Sequence, residues 1–146
     1  MLRPAIYCAS RASVIDRPMM WNTLRDMGGH NIISTWHNTE NIQQNTDMLA
    51  MWTQIEREIA VCDALILYAE PKDLPLKGAY VEAGMALAMG KQVFVVYAPS
   101  GNPTLLRQHL GSWVSHPNVV VCEALETAFY CIERNMHHDS VQAARG

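Results

Sequence analysis

The chain has 146 residues, 49% hydrophobic and 17% charged, a balance that fits one globular domain with a real core and excludes a disordered chain. A formal charge of −3 and a pI near 6 give no basic field for duplex nucleic acid, although a small phosphorylated ligand needs only one local anion pocket. Cys8, Cys62, Cys122 and Cys131 form no C-x-x-C pair, no H-x-x-x-H falls on a helical pattern, and no 18-residue apolar run occurs. These features predict reduced thiols, no metal, no membrane span and a soluble cytoplasmic protein.

Residues 5–9 are a short apolar run between Pro4 and the polar loop of Ser10, Arg11, Ala12 and Ser13, which predicts a buried first strand. From 17 to 27, Met20, Leu24 and Met27 recur at helical spacing. Asp16 is a candidate N-cap, Pro18 sits in the first turn, and Gly28 and Gly29 end the helix. Residues 32–36 read as a second strand. Residues 37–46, rich in Asn and Gln, read as a loop in which His37 is solvated.

From 47 to 62, Leu49, Trp52, Ile55, Ile59 and Cys62 share one face of an amphipathic helix, which Asp63 terminates. Residues 64–68 read as a third strand, and 69–77, with Pro71 and Pro75, as a loop. Residues 78–90 then read as a short helix carrying one carboxylate, Glu82, among the small Ala79, Ala83, Gly84 and Ala86. Lys91 follows Gly90 in a tight turn as a structural residue. Residues 93–97 show no polar alternation, which predicts a fourth strand buried on both faces. A turn-rich loop follows at 98–103, a short helix at 104–110 and a fifth strand at 119–122. The last helix spans 123–136 with Leu125, Ala128, Phe129 and Ile132 inward, and 137–146 is a frayed tail.

Five strands alternating with helices predict a single-domain α/β fold over 1–136. Its sheet would be a doubly wound, parallel, flavodoxin- or Rossmann-like one with helices on both faces. Such sheets bind ligands beyond the carboxyl ends of their strands. That edge collects 7–13, 36–38, 69–82 and 98–102, so Glu82 falls on the ligand side by topology alone.

Glu82 lies about one turn into its helix, where free N–H groups and the dipole favour an anion. Either it is an ionised nucleophile or it complements the dipole and nothing more. The segment 62–67, then Lys77-Gly78, Val81-Glu82-Ala83-Gly84, Ala86-Leu87-Ala88 and Gly90-Lys91-Gln92-Val93, resembles the core of the nucleoside 2-deoxyribosyltransferase family, whose relatives include 2′-deoxynucleoside 5′-monophosphate N-glycosidases. Residues 6–9 resemble that family's first strand, and Pro99-Ser100-Gly101 a later loop.

The resemblance implies that Glu82 attacks C1′ of a nucleoside or nucleotide, forming a covalent glycosyl ester resolved by water or a second base. It also implies a dimer or larger homo-oligomer, and it matches Tyr7 to a family Tyr that orients the nucleophile. The alternative for Tyr7 is a core tyrosine with its hydroxyl at the rim. Arg11, with Ser10 and Ser13, is either a 5′-phosphate clamp or an ordinary polar loop. Ser100 and Gly101 are a second phosphate or ribose site, or a turn.

Of the tryptophans, Trp36 is the better base-stacking candidate and Trp52 reads as core. Gly78 matches the first glycine of the family's Gly-x-Gly, whereas Leu76 and Tyr80 depart from its pattern. Ile55 stands where the family carries an accessory Asp, which leaves Glu56, Asp73 or Asp47 to protonate the leaving base. The competing readings are a non-catalytic nucleotide-sensing module and NAD or ADP-ribose glycohydrolase chemistry. The chain has no G-x-G-x-x-G, which argues against a dinucleotide-dependent dehydrogenase and leaves no cofactor implied.

Overall fold

A computed structural model describes residues 3–43, 47–98 and 102–134. The loop candidates Ser100 and Gly101 and the tail at 137–146 lie outside the described residues. The chain forms β1 (Ile6–Ala9), α1 (Asp16–Asp26), α2 (Thr39–Gln43), α3 (Met48–Val61), β2 (Ala64–Ala69), α4 (Gly78–Ala88), β3 (Gln92–Tyr97), α5 (Pro103–Leu110) and β4 (Val119–Cys122). Residues 125–134 form a last helix, α6.

The four strands lie in the order β1-β2-β3-β4 and every pairing is parallel. Parallel neighbours need crossovers, and the intervening helices supply them. β2 and β3 are buried at every position except the half-buried Tyr68 and the exposed Gln92, as the absence of alternation requires. α4 packs on β1, β2 and β3 and beside α3. Its exit needs a glycine at Gly90, where φ is +77°.

The expected strand at 32–36 is not formed, so the sheet has four strands rather than five. Only Ile32 bridges to β1, opposite Ile6. Beyond that bridge the outer edge of β1 is satisfied by side chains. Cys8 N–H donates to Ser34 Oγ at 3.1 Å, and Cys8 C=O accepts Trp36 Nε1–H at 2.7 Å. Thr35 N–H turns instead to Glu58 Oε1 at 3.1 Å. Buried backbone groups need partners, but those partners need not be backbone.

The same knot overturns the reading of His37 as solvated, because its side chain is completely buried. His37 Nδ1–H donates to Asn22 Oδ1 at 2.6 Å, while Nε2 accepts from the Ser34 hydroxyl at 2.8 Å. Burial, aided by the Arg25 charge, pushes its pKa down to about 4, so the ring stays neutral.

Other departures are local. Ile15, not Asp16, occupies the α1 N-cap, and Asp16 stands in the first turn. The polar stretch at 39–43 closes into α2. Leu49 is 81% exposed, because it lies roughly a third of a turn from the stripe through Ile55 and Ile59 at 3.6 residues per turn. Met27, expected on the buried face of α1, is also exposed, and Trp21 anchors that helix. Asp63 accepts Ala5 N–H at 2.7 Å, tying the starts of β1 and β2 together. Lys91 Nζ donates to the Ala60 carbonyl at 3.0 Å, near the end of α3.

Candidate functional site

α4 begins straight after a braced loop. Residues 70–77 leave β2 through a short 3-10 turn (Pro71–Asp73) that Glu70 and Asp73 cap reciprocally. Asp73 is fully buried and takes both forks of Arg17, Nε at 2.9 Å and Nη2 at 3.1 Å. Arg17 Nη2 also lies 3.0 Å from Glu70 Oε2, and the guanidinium covers the Tyr68 ring at 4.9 Å. A bidentate buried pair of this kind fixes geometry as well as charge. It ties the loop that leads into α4 to α1.

Glu82 projects from α4 toward Tyr7, the second residue of β1, and is only 5% exposed. Tyr7 O–H donates to its Oε1. Burial pushes the Glu82 pKa up to about 8; the Tyr7 hydrogen bond pulls it down and the Glu58 charge pushes it up. The helix start was expected to hold this carboxylate ionised, but its burial favours the neutral form. Tyr7 is itself raised well above its ordinary pKa by burial and by the Glu82 charge, so its hydroxyl remains a donor.

The carboxyl group opens on a cavity of about 420 Å³. α3 supplies one wall through Met48, Met51, Trp52 and Ile55, Trp36 supplies another, and Gly78 lies beside Glu82. A Cβ on Gly78 would stand 3.4 Å from the Trp52 ring and 3.8 Å from Glu82 Oε2, so the glycine leaves room where the carboxylate faces the cavity. Ser13 and Asn41 are polar members of the lining, and Glu82 is its ionisable one among the described residues. This size and mainly apolar character suit a small ligand with a few polar contacts.

The sequence-derived candidates divide in the structure. Glu82, Ser13, Trp36 and Gly78 line the cavity, and Tyr7 stands behind Glu82. Ser10 is buried elsewhere, its Oγ accepting Trp21 Nε1–H at 2.9 Å. Arg11 is half-buried, donating to Ser13 Oγ at 3.0 Å and to the Asp73 carbonyl at 3.1 Å. Trp52, read as core, is a cavity wall. Asp73 is consumed by Arg17, Asp47 caps α3 through Leu49 N–H, and Glu56 is exposed, so none of the three replacement acids lines the cavity.

Glu58 went unnoticed in the sequence. Its buried carboxylate accepts from Thr35 N–H and from Thr35 O–H at 2.6 Å, and from Gln54 Nε2 at 3.0 Å. The available signal was a lone acid within the apolar stripe of α3.

A larger hollow of about 520 Å³ separates α1 from α6. Its His30 ring is already paired with Glu133 at 3.0 Å and stacked on Phe129. Among the described residues no group of three His, Cys, Asp or Glu side chains is placed to hold a metal, and no helix is long and apolar enough to cross a membrane.

Neither a family model nor a curated protein matches the chain. Its structure is similar to that of the Clostridium botulinum CMP N-glycosidase BcmB, with a TM-score of 0.55 and 16% identity over 90% of this chain and 98% of that one. The two chains share a fold. A likeness at this identity extends to architecture and not to individual side chains.

Proposed function

We propose that the protein cleaves the N-glycosidic bond of a nucleoside or nucleoside 5′-monophosphate, with Glu82 as nucleophile. The observation that carries this reading is a buried carboxyl group, bonded to a tyrosine hydroxyl, that faces an apolar, tryptophan-walled cavity. The sequence resemblance to deoxyribosyltransferases and the fold shared with a CMP N-glycosidase support it.

In this mechanism Glu82 attacks C1′ as the C1′–N bond breaks, giving a glycosyl ester. Water then hydrolyses the ester, or a second base takes the sugar. Tyr7 orients the attacking oxygen. Trp36 and Trp52 flank the base, and Arg11, with N–H donors beyond its two internal bonds, receives the 5′-phosphate. Homodimerisation is part of the proposal. The outward face of α4 presents Val81, Met85, Ala88 and Met89 without a charge, and Val81 is 51% exposed.

The test is incubation with deoxynucleosides, ribo- and deoxyribonucleoside 5′-monophosphates and NAD, with chromatography for free base and mass spectrometry for a glycosyl adduct on Glu82. The expected result is base release from at least one substrate, falling by about 10³-fold or more in Glu82→Ala. Full activity in that variant overturns the mechanism. The second reading, a nucleotide-sensing module, is favoured by Ile55 on the cavity wall. Tight binding of a nucleotide without turnover would establish it.

A further inference from the structure

From the composition of the cavity wall we infer that the preferred substrates are cationic N-ribosides, such as ribosyl pyridiniums and N7-alkylated purine nucleotides, whose base departs without being protonated. This rests on the glycosidase reading of Glu82 and specifies its substrate class. An ordinary nucleobase leaves as an anion unless an acid protonates it, and positioned acids contribute typically about 10²–10⁴-fold. Among the described residues the cavity lining holds no acid besides Glu82, which this mechanism uses as the nucleophile. Ile55, Met51 and Met48 occupy the α3 side, and the remaining polar lining groups, Ser13 and Asn41, are not acids at neutral pH.

What the cavity does offer suits a cation. Trp36 and Trp52 both line it, and indole attracts positive charge most strongly of the aromatic rings. Glu82 adds a negative charge once ionised, and a cationic base held beside it favours that ionised form. The substrate thus helps to generate its own nucleophile. The step balances within the site. A Glu82 oxygen forms a bond to C1′, the C1′–N bond breaks, and its electron pair neutralises the positive ring nitrogen, releasing a neutral base. Water then displaces Glu82 from C1′, yielding free sugar or sugar phosphate and one proton to solvent.

The test measures kcat/KM for nicotinamide mononucleotide and 7-methylguanosine 5′-monophosphate against GMP and CMP, each corrected for spontaneous cleavage. We expect the cationic pair to exceed the neutral pair by about 100-fold or more, the typical worth of the missing acid. Ile55→Asp, which places a carboxyl group on the wall, should narrow the gap by raising GMP or CMP turnover by a larger factor than that of the cationic probes. Equal or faster cleavage of GMP or CMP by the unmodified protein overturns the preference alone. Absence of turnover from every member overturns it together with the glycosidase reading. Tryptophan fluorescence gives a readout independent of catalysis. At pH 9, 1-methylnicotinamide should bind about tenfold more tightly than nicotinamide, within the range of desolvated cation–π contacts, and equal binding would overturn the recognition argument.

Discussion

The Tyr7 hydroxyl donates to Glu82 across 75 residues of sequence, joining the first strand to the interior of α4. The bond pulls the carboxyl pKa down against the burial that pushes it to about 8. Tyr7→Phe removes the donor and keeps the ring, so the core around the fully buried Tyr7 stays filled. The Glu82 pKa should then rise further. A hydrogen bond to a charged group is worth about 1.5–3 kcal/mol, so kcat/KM at pH 7 should fall roughly 10- to 150-fold. Its pH profile should move to higher pH, and the melting temperature should fall by a few degrees as the buried carboxyl group loses this partner. An unshifted profile would show that the hydroxyl does not act on Glu82.

The raised pKa of Glu82 fixes the sign of two pH dependences. As a nucleophile it must lose its proton, so kcat/KM on a neutral substrate should climb with pH and level off above about 8. Stability runs the other way. The folded state holds the proton more tightly than the unfolded chain, whose carboxyl has the ordinary value of 4.5. The stability linked to that proton is full below about pH 4.5 and is lost as pH rises through about 8. Glu82→Gln cannot ionise. Urea denaturation should therefore show this variant gaining on the wild type between pH 5 and 8.5, by a few kcal/mol at about 1.4 kcal/mol per unit of pKa. A constant difference between the two proteins across that range would contradict the buried, raised carboxyl.

The fold was legible where burial writes itself into composition. The unbroken apolar runs at β2 and β3, and the amphipathic stretch ending at Cys62, gave elements within a residue or two of those observed. Residues 32–36 misled because their apolar and β-branched character matches a strand. The hydrogen bonds that decide the matter come from Ser34 and Trp36 side chains, which no periodicity reveals. At the site, one acid among small residues picked out Glu82, and the topology of a parallel sheet placed it at the ligand edge. The placement of Trp52 depended on how far α3 is rotated against α4, and the fate of Asp73 on Arg17 lying 56 residues away. Both are tertiary facts. The pKa of Glu82 depends likewise on how completely neighbouring elements exclude water, which a helix-position argument does not weigh.

Arg17 and Asp73 supply the last test, because they lock the loop from which α4 departs. Both side chains are nearly or fully out of water, at 5% and 0% exposure. Removing one partner of such a pair typically costs about 3–5 kcal/mol, and after Asp73→Ala the half-exposed Glu70 is left as the acid facing the buried Arg17 guanidinium. Asp73→Ala also strips the acceptor from Glu70 N–H, bonded at 2.9 Å, and so loosens the turn before α4. We expect this variant to lose stability on that scale, or roughly 6–20 °C of melting temperature for a domain of this size. Its catalysis should weaken as the α4 start shifts. Replacing both partners by apolar residues, Arg17→Met with Asp73→Leu, leaves neither charge buried, and Glu70 keeps its access to water at 31% side-chain exposure. The double variant should therefore be more stable than Asp73→Ala alone and show strong non-additivity in a mutant cycle. Additive losses would mean that the two side chains stabilise the protein independently, and that the loop is held by its own turn rather than by the ion pair.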